Sequence, residues 1–161
     1  MSYEFLDEAL KHTFSGLPES LPSGRPVVSG KVRDLVDFGS QVVISTSDRI
    51  SAFDRILSTI PCKGEVLNRI TLYWFEKTSD MIPNHLVRAL SSRTAAVKKC
   101  EVLPVEVVVR GYLTGSAWRE YQAGKAISGI ELPPGMRADQ AFDPPLITPS
   151  TKAEPGLHHE P

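Results

Sequence analysis

Val27–Ser47 reads VVSGKVRDLVDFGSQVVISTS, two valine- and isoleucine-rich runs with Gly39-Ser40 between them. β-Branched residues suit a pleated, half-buried strand, and a short glycine-containing break between two such runs is a β-hairpin signature. The stretch therefore predicts antiparallel β-structure early in the chain. Its second strand empties directly into Asp48, Arg49 and Ser51, an acid, an arginine and a serine at the exit of a core run. Polar residues are what turns are made of, but a strand end is also a rigid platform for a site. Within this block alone, a structural Asp48–Arg49 ion pair and a functional site are both open.

Outward from the hairpin, Phe5, Leu6, Ala9, Leu10 and Phe14 repeat with helical spacing before the proline- and glycine-broken stretch SGLPESLPSGRP. A short N-terminal helix and loop are expected over residues 1–25. Downstream, GEVLNRITLYWFEKTSD spreads Val66, Leu67, Ile70, Leu72, Tyr73, Trp74 and Phe75 over one broad face, which predicts a core helix. AAVKKCEVLP and VEVVVRGYLTG predict two further strands, with Pro104 at an edge or strand start. SAWREYQAG predicts a helix capped by Ser116 and closed by Gly124. The proline-rich remainder from Leu132 has little apolar periodicity and predicts an extended connecting segment.

The chain has 161 residues and is 41% hydrophobic, enough for one globular domain or two small lobes. A formal net charge of -1 gives no basic face for nucleic acid or an anionic membrane, so small-molecule partners are expected. The N-terminus lacks the uninterrupted apolar core of a signal peptide, and no apolar run approaches the roughly 18 residues of a membrane span. A cytoplasmic location is expected. Cys62 and Cys100 lack zinc-ligand spacing and read as packing thiols, and the four histidines form no HExxH pattern.

Three stretches offer chemistry. In SGKVRD, Gly30 permits close backbone approach, and Lys31 and Arg33, flanking Val32, fall on one strand face. Two cations on one face suit a polyphosphate; a solvated surface strand is the alternative. In VVVRGYLTGS, Arg110 ends a valine run and Ser116 opens a helix, so a guanidinium fork, a hydroxyl and backbone N–H groups can converge on a phosphate monoester, with Gly115 allowing close approach. A surface ion pair and a simple helix cap are the alternatives there. TPSTKAE offers hydroxyls, Lys152 and Glu154 on a proline-braced loop.

Taken in order, GKVRDLVDFG, STSDRISAFDRIL, IPCKGEVLNRITLYWFEKT, VEVVVRGYLTGSAWREYQ, GIELPPGMR and LITPSTKAEPGLHHE resemble the phosphoribosylaminoimidazole-succinocarboxamide synthase family of purine biosynthesis. The resemblance runs from Gly30 to Glu160. It implies an α+β fold, with a β-rich nucleotide lobe like the small lobe of a kinase over residues 26–109. The start of a second, α/β substrate lobe is implied over 110–161, with the cleft between the two.

The implied activity is that of an ATP-dependent carbon–nitrogen ligase. Carboxyaminoimidazole ribotide is joined to L-aspartate through an acyl phosphate, with ATP and Mg2+ required and ADP and phosphate released. Carried onto this sequence, Gly30, Lys31, Val32 and Arg33 resemble the loop over the ATP phosphates, and Glu101, Val102 and Leu103 the hinge that receives adenine. Arg110, Gly115 and Ser116 resemble the ribotide phosphate clamp. Asp48, Arg49, Ser51 and Lys152 resemble further substrate contacts. His158 is followed by His159 where the family often has an acid. Family members also continue into a segment carrying acidic metal ligands, so weak or absent ligase activity is expected of this polypeptide alone. A non-catalytic nucleotide- or ribotide-binding module is the alternative. A kinase-like phosphotransferase is disfavoured by the lack of HRD and DFG blocks.

Overall fold

The computed structural model describes residues 4–52 and 55–151. Lys152, Glu154, His158 and His159 lie outside the described residues, as do Phe53 and Asp54. The chain divides into two compact units, Met1–Glu101 and Val102–Pro161. The architecture is α+β with antiparallel pairing throughout the described sheets.

Unit 1 opens with helix α1 (Glu4–Ala9) and holds seven strands: β1 (Val28–Ser29), β2 (Arg33–Asp37), β3 (Gln41–Thr46), β4 (Arg49–Ala52), β5 (Arg55–Thr59), β6 (Leu86–Ala89) and β7 (Thr94–Lys98). Five of them form one sheet in the order β1-β2-β3-β7-β6, and β4-β5 is a separate ribbon. The predicted hairpin is β2-β3, with Val36 opposite Val43 and a turn closed by Phe38 N–H to the Gln41 carbonyl at 2.8 Å. Strand alternation then separates two faces. Val36 and Asp34 are buried on one; Arg33 and Leu35 belong to the other, which also carries Ile44, Ala95 and Val97 by register.

Helix α2 (Lys63–Lys77) contacts the sheet differently from the core helix its composition predicts. Gly64 and Asn68 are buried, and Leu72 and Phe75 half-buried, a narrow strip at helical spacing. Val66, Ile70, Tyr73 and Trp74 are exposed. The contact is narrow because the helix N-terminus comes so close to the end of β3. A Cβ on Gly64 would be driven into the Thr46 carbonyl oxygen, and would also stand 2.8 Å from Arg93 Nη1 and 2.9 Å from the Ser47 carbonyl oxygen. Gly64→Ala is therefore expected to lower stability by about 1–3 kcal/mol through overpacking, read as a shift in the urea midpoint. An unchanged midpoint would show that the helix can slide away freely.

Unit 2 pairs strand β8 (Val105–Tyr112) with strand β9 (Ala141–Thr151), and helix α3 (Gly115–Gln122) lies between them in sequence. All of β8 falls in this unit, so the division comes before Arg110. Its valines Val105, Val107, Val108 and Val109 are exposed. The core sits instead at Leu113, Ala117 and Ile127, with Trp118, Tyr121, Met136, Phe142 and Leu146 packed against it. Thus β9, 11 residues long, forms inside the expected connecting segment. Its ladder runs from Val105 opposite Thr151 to Arg110 opposite Leu146, then resumes at Tyr112 opposite Ala141. That irregularity leaves Pro144 and Pro145 where no ladder N–H is required.

Among the described residues no helix is long and apolar enough to cross a membrane.

Candidate functional site

Gly30, Lys31, Val32 and Arg33 do not continue one strand. Ser29 pairs with Asp34, and Gly30 N–H donates to the Arg33 carbonyl at 2.7 Å, so the four residues close the turn between β1 and β2. Lys31 consequently sits in the turn while Arg33 begins β2, and the expected common strand face for the two cations is not formed. Arg33 lines a pocket of about 250 Å³ between the sheet and α2, together with Ile44, Thr46, Asn68, Phe75 and His85.

Behind this turn stand Ser47, Asp48 and Arg49, all buried. Asp48 and Arg49 do not pair with each other as the structural alternative had it. Arg49 Nη2 reaches Asp34 Oδ1 at 2.7 Å and the Gly30 carbonyl at 3.0 Å, Nε reaches the Lys31 carbonyl at 3.2 Å, and Nη1 reaches the Ser15 carbonyl at 2.6 Å. Ser47 donates to the Val32 carbonyl from both Oγ, at 2.9 Å, and its backbone N–H, at 3.0 Å.

Asp48 faces elsewhere. It accepts the Phe14 amide at 2.8 Å, the Gly64 amide at 2.8 Å and Arg93 Nη1 at 3.1 Å; Arg93 Nη2 reaches Glu65 at 3.2 Å. Burial pushes the Asp48 carboxyl up, but the Phe14 and Gly64 amides and the Arg93 guanidinium outweigh it and hold the group below the ordinary aspartate value near 3.8. Both side chains are thus engaged inside unit 1. Arg93 escaped sequence reasoning because SSRTAAV offers only a turn before a strand, and its partners are distant in sequence. Ser51 is half-buried on β4, opposite Ile56.

No regular element spans residues 99–104, so Glu101, Val102 and Leu103 do not form the expected strand. Val102 and Leu103 are 70% and 75% exposed, as an irregular link at the boundary of the two units allows.

In unit 2 the expected convergence occurs. Arg110 Nη2 donates to Ser116 Oγ at 3.2 Å and Nε to Thr148 Oγ1 at 3.2 Å, while Thr148 Oγ1 donates to the Val108 carbonyl at 3.0 Å. β8 supplies the arginine, the first turn of α3 the serine and β9 the threonine. The helix cap is Thr114, in extended conformation, rather than Ser116. Ser116 is therefore released from capping and turned to Arg110. Gly115 has φ +62°, a left-handed conformation at which a side chain is strained, and a Cβ there would meet nothing within 4 Å. A guanidinium ringed by hydroxyls beside a helix start is suited to an anion. The Thr148 hydroxyl was among those TPSTKAE offered, but on an expected loop; the strand register that sets it opposite Val108, beside Arg110, was missed.

Comparison with known proteins identifies the family. A family model described as SAICAR synthetase matches residues 26–159. The phosphoribosylaminoimidazole-succinocarboxamide synthase of Syntrophotalea carbinolica is 45% identical over 160 residues, covering 89% of this chain and 54% of that protein. The protein of the same name from Legionella pneumophila strain Paris is 45% identical over 147 residues, covering 88% and 46%. The structure of SAICAR synthase from Saccharomyces cerevisiae complexed with SAICAR superposes with a TM-score of 0.76 at 34% identity, covering 86% of this chain and 55% of that one. The chain spans about half the length of the curated relatives it matches. With a family model covering most of its length and a shared fold, the chain belongs to the SAICAR synthetase family.

Proposed function

We propose that this chain carries the nucleotide-binding and ribotide-phosphate-binding portions of an ATP-dependent ligase that joins carboxyaminoimidazole ribotide to L-aspartate. The observation that carries the reading is the convergence of Arg110 with Ser116 and Thr148. A phosphate monoester there would receive charge-assisted bonds from the guanidinium and a bond from the Ser116 hydroxyl, with Thr148 orienting the guanidinium, fixing the ribotide while its carboxylate reacts elsewhere. The yeast relative's complex with SAICAR, itself a ribotide, supports that assignment. In unit 1, the Gly30–Arg33 turn would cover the ATP phosphates, with Lys31 and Arg33 neutralising charge as the γ-phosphoryl group transfers to the carboxylate. The backbone of Glu101 to Leu103 would receive adenine, and Ser51 and Lys152 would contact substrate.

Arg49 would act from behind the turn, since its side chain is already committed to the turn carbonyls, and Asp48 would act only by holding the loop after α1 to the start of α2. Among the described residues no group of three or more His, Cys, Asp or Glu gathers to hold a metal ion, so the Mg2+ of the expected reaction is assigned no ligands within them. A cytoplasmic location fits a small-molecule ligase of this kind.

Calorimetric titration of the chain, separately with MgATP and with the ribotide, tests the reading. Saturable binding of each is the expected result; a folded chain that binds neither would overturn it. Thr148→Val removes one acceptor and leaves the shape. It is expected to weaken the ribotide about threefold to tenfold, as one hydrogen bond would, and to leave MgATP unchanged.

A further inference from the structure

Four hydrogen bonds from two buried side chains and one backbone amide end on three consecutive carbonyls of the Gly30–Arg33 turn. Arg49 takes Gly30 and Lys31, and Ser47 takes Val32 twice. A turn that needed only to join two strands would require none of this, because water satisfies exposed carbonyls equally well. We propose that Arg49, assisted by Ser47, is the positioning residue of the phosphate turn. It would hold that turn in the conformation that receives a nucleoside triphosphate, without touching the nucleotide itself.

The geometry follows from the peptide unit. A trans peptide is planar, with its N–H opposed to its C=O, and the one cis bond among the described residues is Asp143-Pro144. Pulling the Gly30 and Lys31 carbonyls onto Arg49 therefore turns the Lys31 and Val32 N–H groups away from it. Successive outward N–H groups in a turn make a concavity suited to phosphate oxygens.

Arginine is required for this bracing. Its fork reaches the Ser15, Gly30 and Lys31 carbonyls and the Asp34 carboxylate at once, and Asp34, itself fully buried, balances the charge while accepting the Leu17 amide at 2.7 Å. A lysine keeps the charge for Asp34 but, donating from a single point, cannot span all the carbonyls.

The proposal rests on the nucleotide reading of unit 1, and its test separates the two. Amide exchange at Gly30 and at position 47, whose N–H groups close the turn on the Arg33 and Val32 carbonyls, is measured without ligand in the wild-type chain, Arg49→Lys and Ser47→Ala, and each is then titrated with MgATP and with the ribotide. Arg49→Lys is expected to speed exchange at both amides at least about tenfold and to weaken MgATP about tenfold, as a lost charged hydrogen-bond set would. Ribotide affinity, set by Arg110 in the other unit, should change less than about twofold. Ser47→Ala keeps the backbone bond to Val32 and is expected to weaken MgATP about threefold. It carries the test if Arg49→Lys does not fold.

A wild-type chain that ignores MgATP would remove the nucleotide reading, while faster exchange in the variants would still support Arg49 as the brace of the turn. Unchanged exchange overturns the proposal, whatever the affinity does. So does faster exchange accompanied by wild-type MgATP affinity, or equal weakening of both ligands.

Discussion

Asp48→Ala is expected to lower the stability of the chain by about 3–5 kcal/mol, a large share of the about 5–15 kcal/mol that an ordinary domain has. The carboxylate is 1% exposed and receives three donors, the Phe14 and Gly64 amides and Arg93. Alanine leaves those amides without an acceptor and deprives the largely buried Arg93 of one of its two carboxylate partners, the other being Glu65. Three separate segments meet at this one side chain: the loop after α1, the start of α2 and the turn before β7. Its loss should therefore weaken the whole of unit 1 rather than fray one element. The urea midpoint at about pH 7 is the measurement, and a loss below about 1 kcal/mol would contradict the assignment.

The same carboxyl gives the effect a direction in pH. Its folded-state value lies below the ordinary one, so its contribution is fully present above about pH 4 and is lost as pH falls through the lowered folded value. The stability gap between wild type and Asp48→Asn should accordingly be widest near neutrality and close in acid. A gap that widened on acidification would mean that the carboxyl is held protonated in the fold.

Local signals survived folding where the physics is local. The β2-β3 hairpin needed only alternating β-branched residues and a glycine turn, and it forms where the sequence places it. Arg110 and Ser116 converge because a strand end and a helix start six residues apart can hardly avoid one another. Failures came where partners are remote. Asp48 and Arg49 look like a pair in sequence, yet adjacent residues leave a strand in opposite directions, and their true partners Arg93 and Asp34 are chosen by tertiary packing. Tyr73 and Trp74 mark α2 as a core helix, whereas the closest contact belongs to Gly64, which periodicity counts as nothing. Prolines hid β9, since a strand with a wide irregularity opposite Gly111 can house Pro144 and Pro145 without losing its ladder. The place of the Thr148 hydroxyl beside Arg110 was hidden with it.

Arg110→Ala is the substitution expected to change ligand binding most, weakening the ribotide about 100-fold while leaving MgATP within about twofold. Two charge-assisted bonds to a phosphate, each at the lower end of the usual range, about 1.5 kcal/mol, set that scale. The fold should survive, because Arg110 bonds to side-chain hydroxyls rather than to buried backbone, and Thr148 keeps its own bond to the Val108 carbonyl. Lysine at the same position restores charge without the fork and should recover only part of the loss, about tenfold. Ionic strength separates this from a packing effect: added salt should weaken ribotide binding by the wild-type chain and hardly affect what remains in Arg110→Ala. If instead the alanine variant binds the ribotide within about threefold of wild type, the hydroxyl-ringed guanidinium is only a brace between β8, α3 and β9. The phosphate must then be held by residues other than these three.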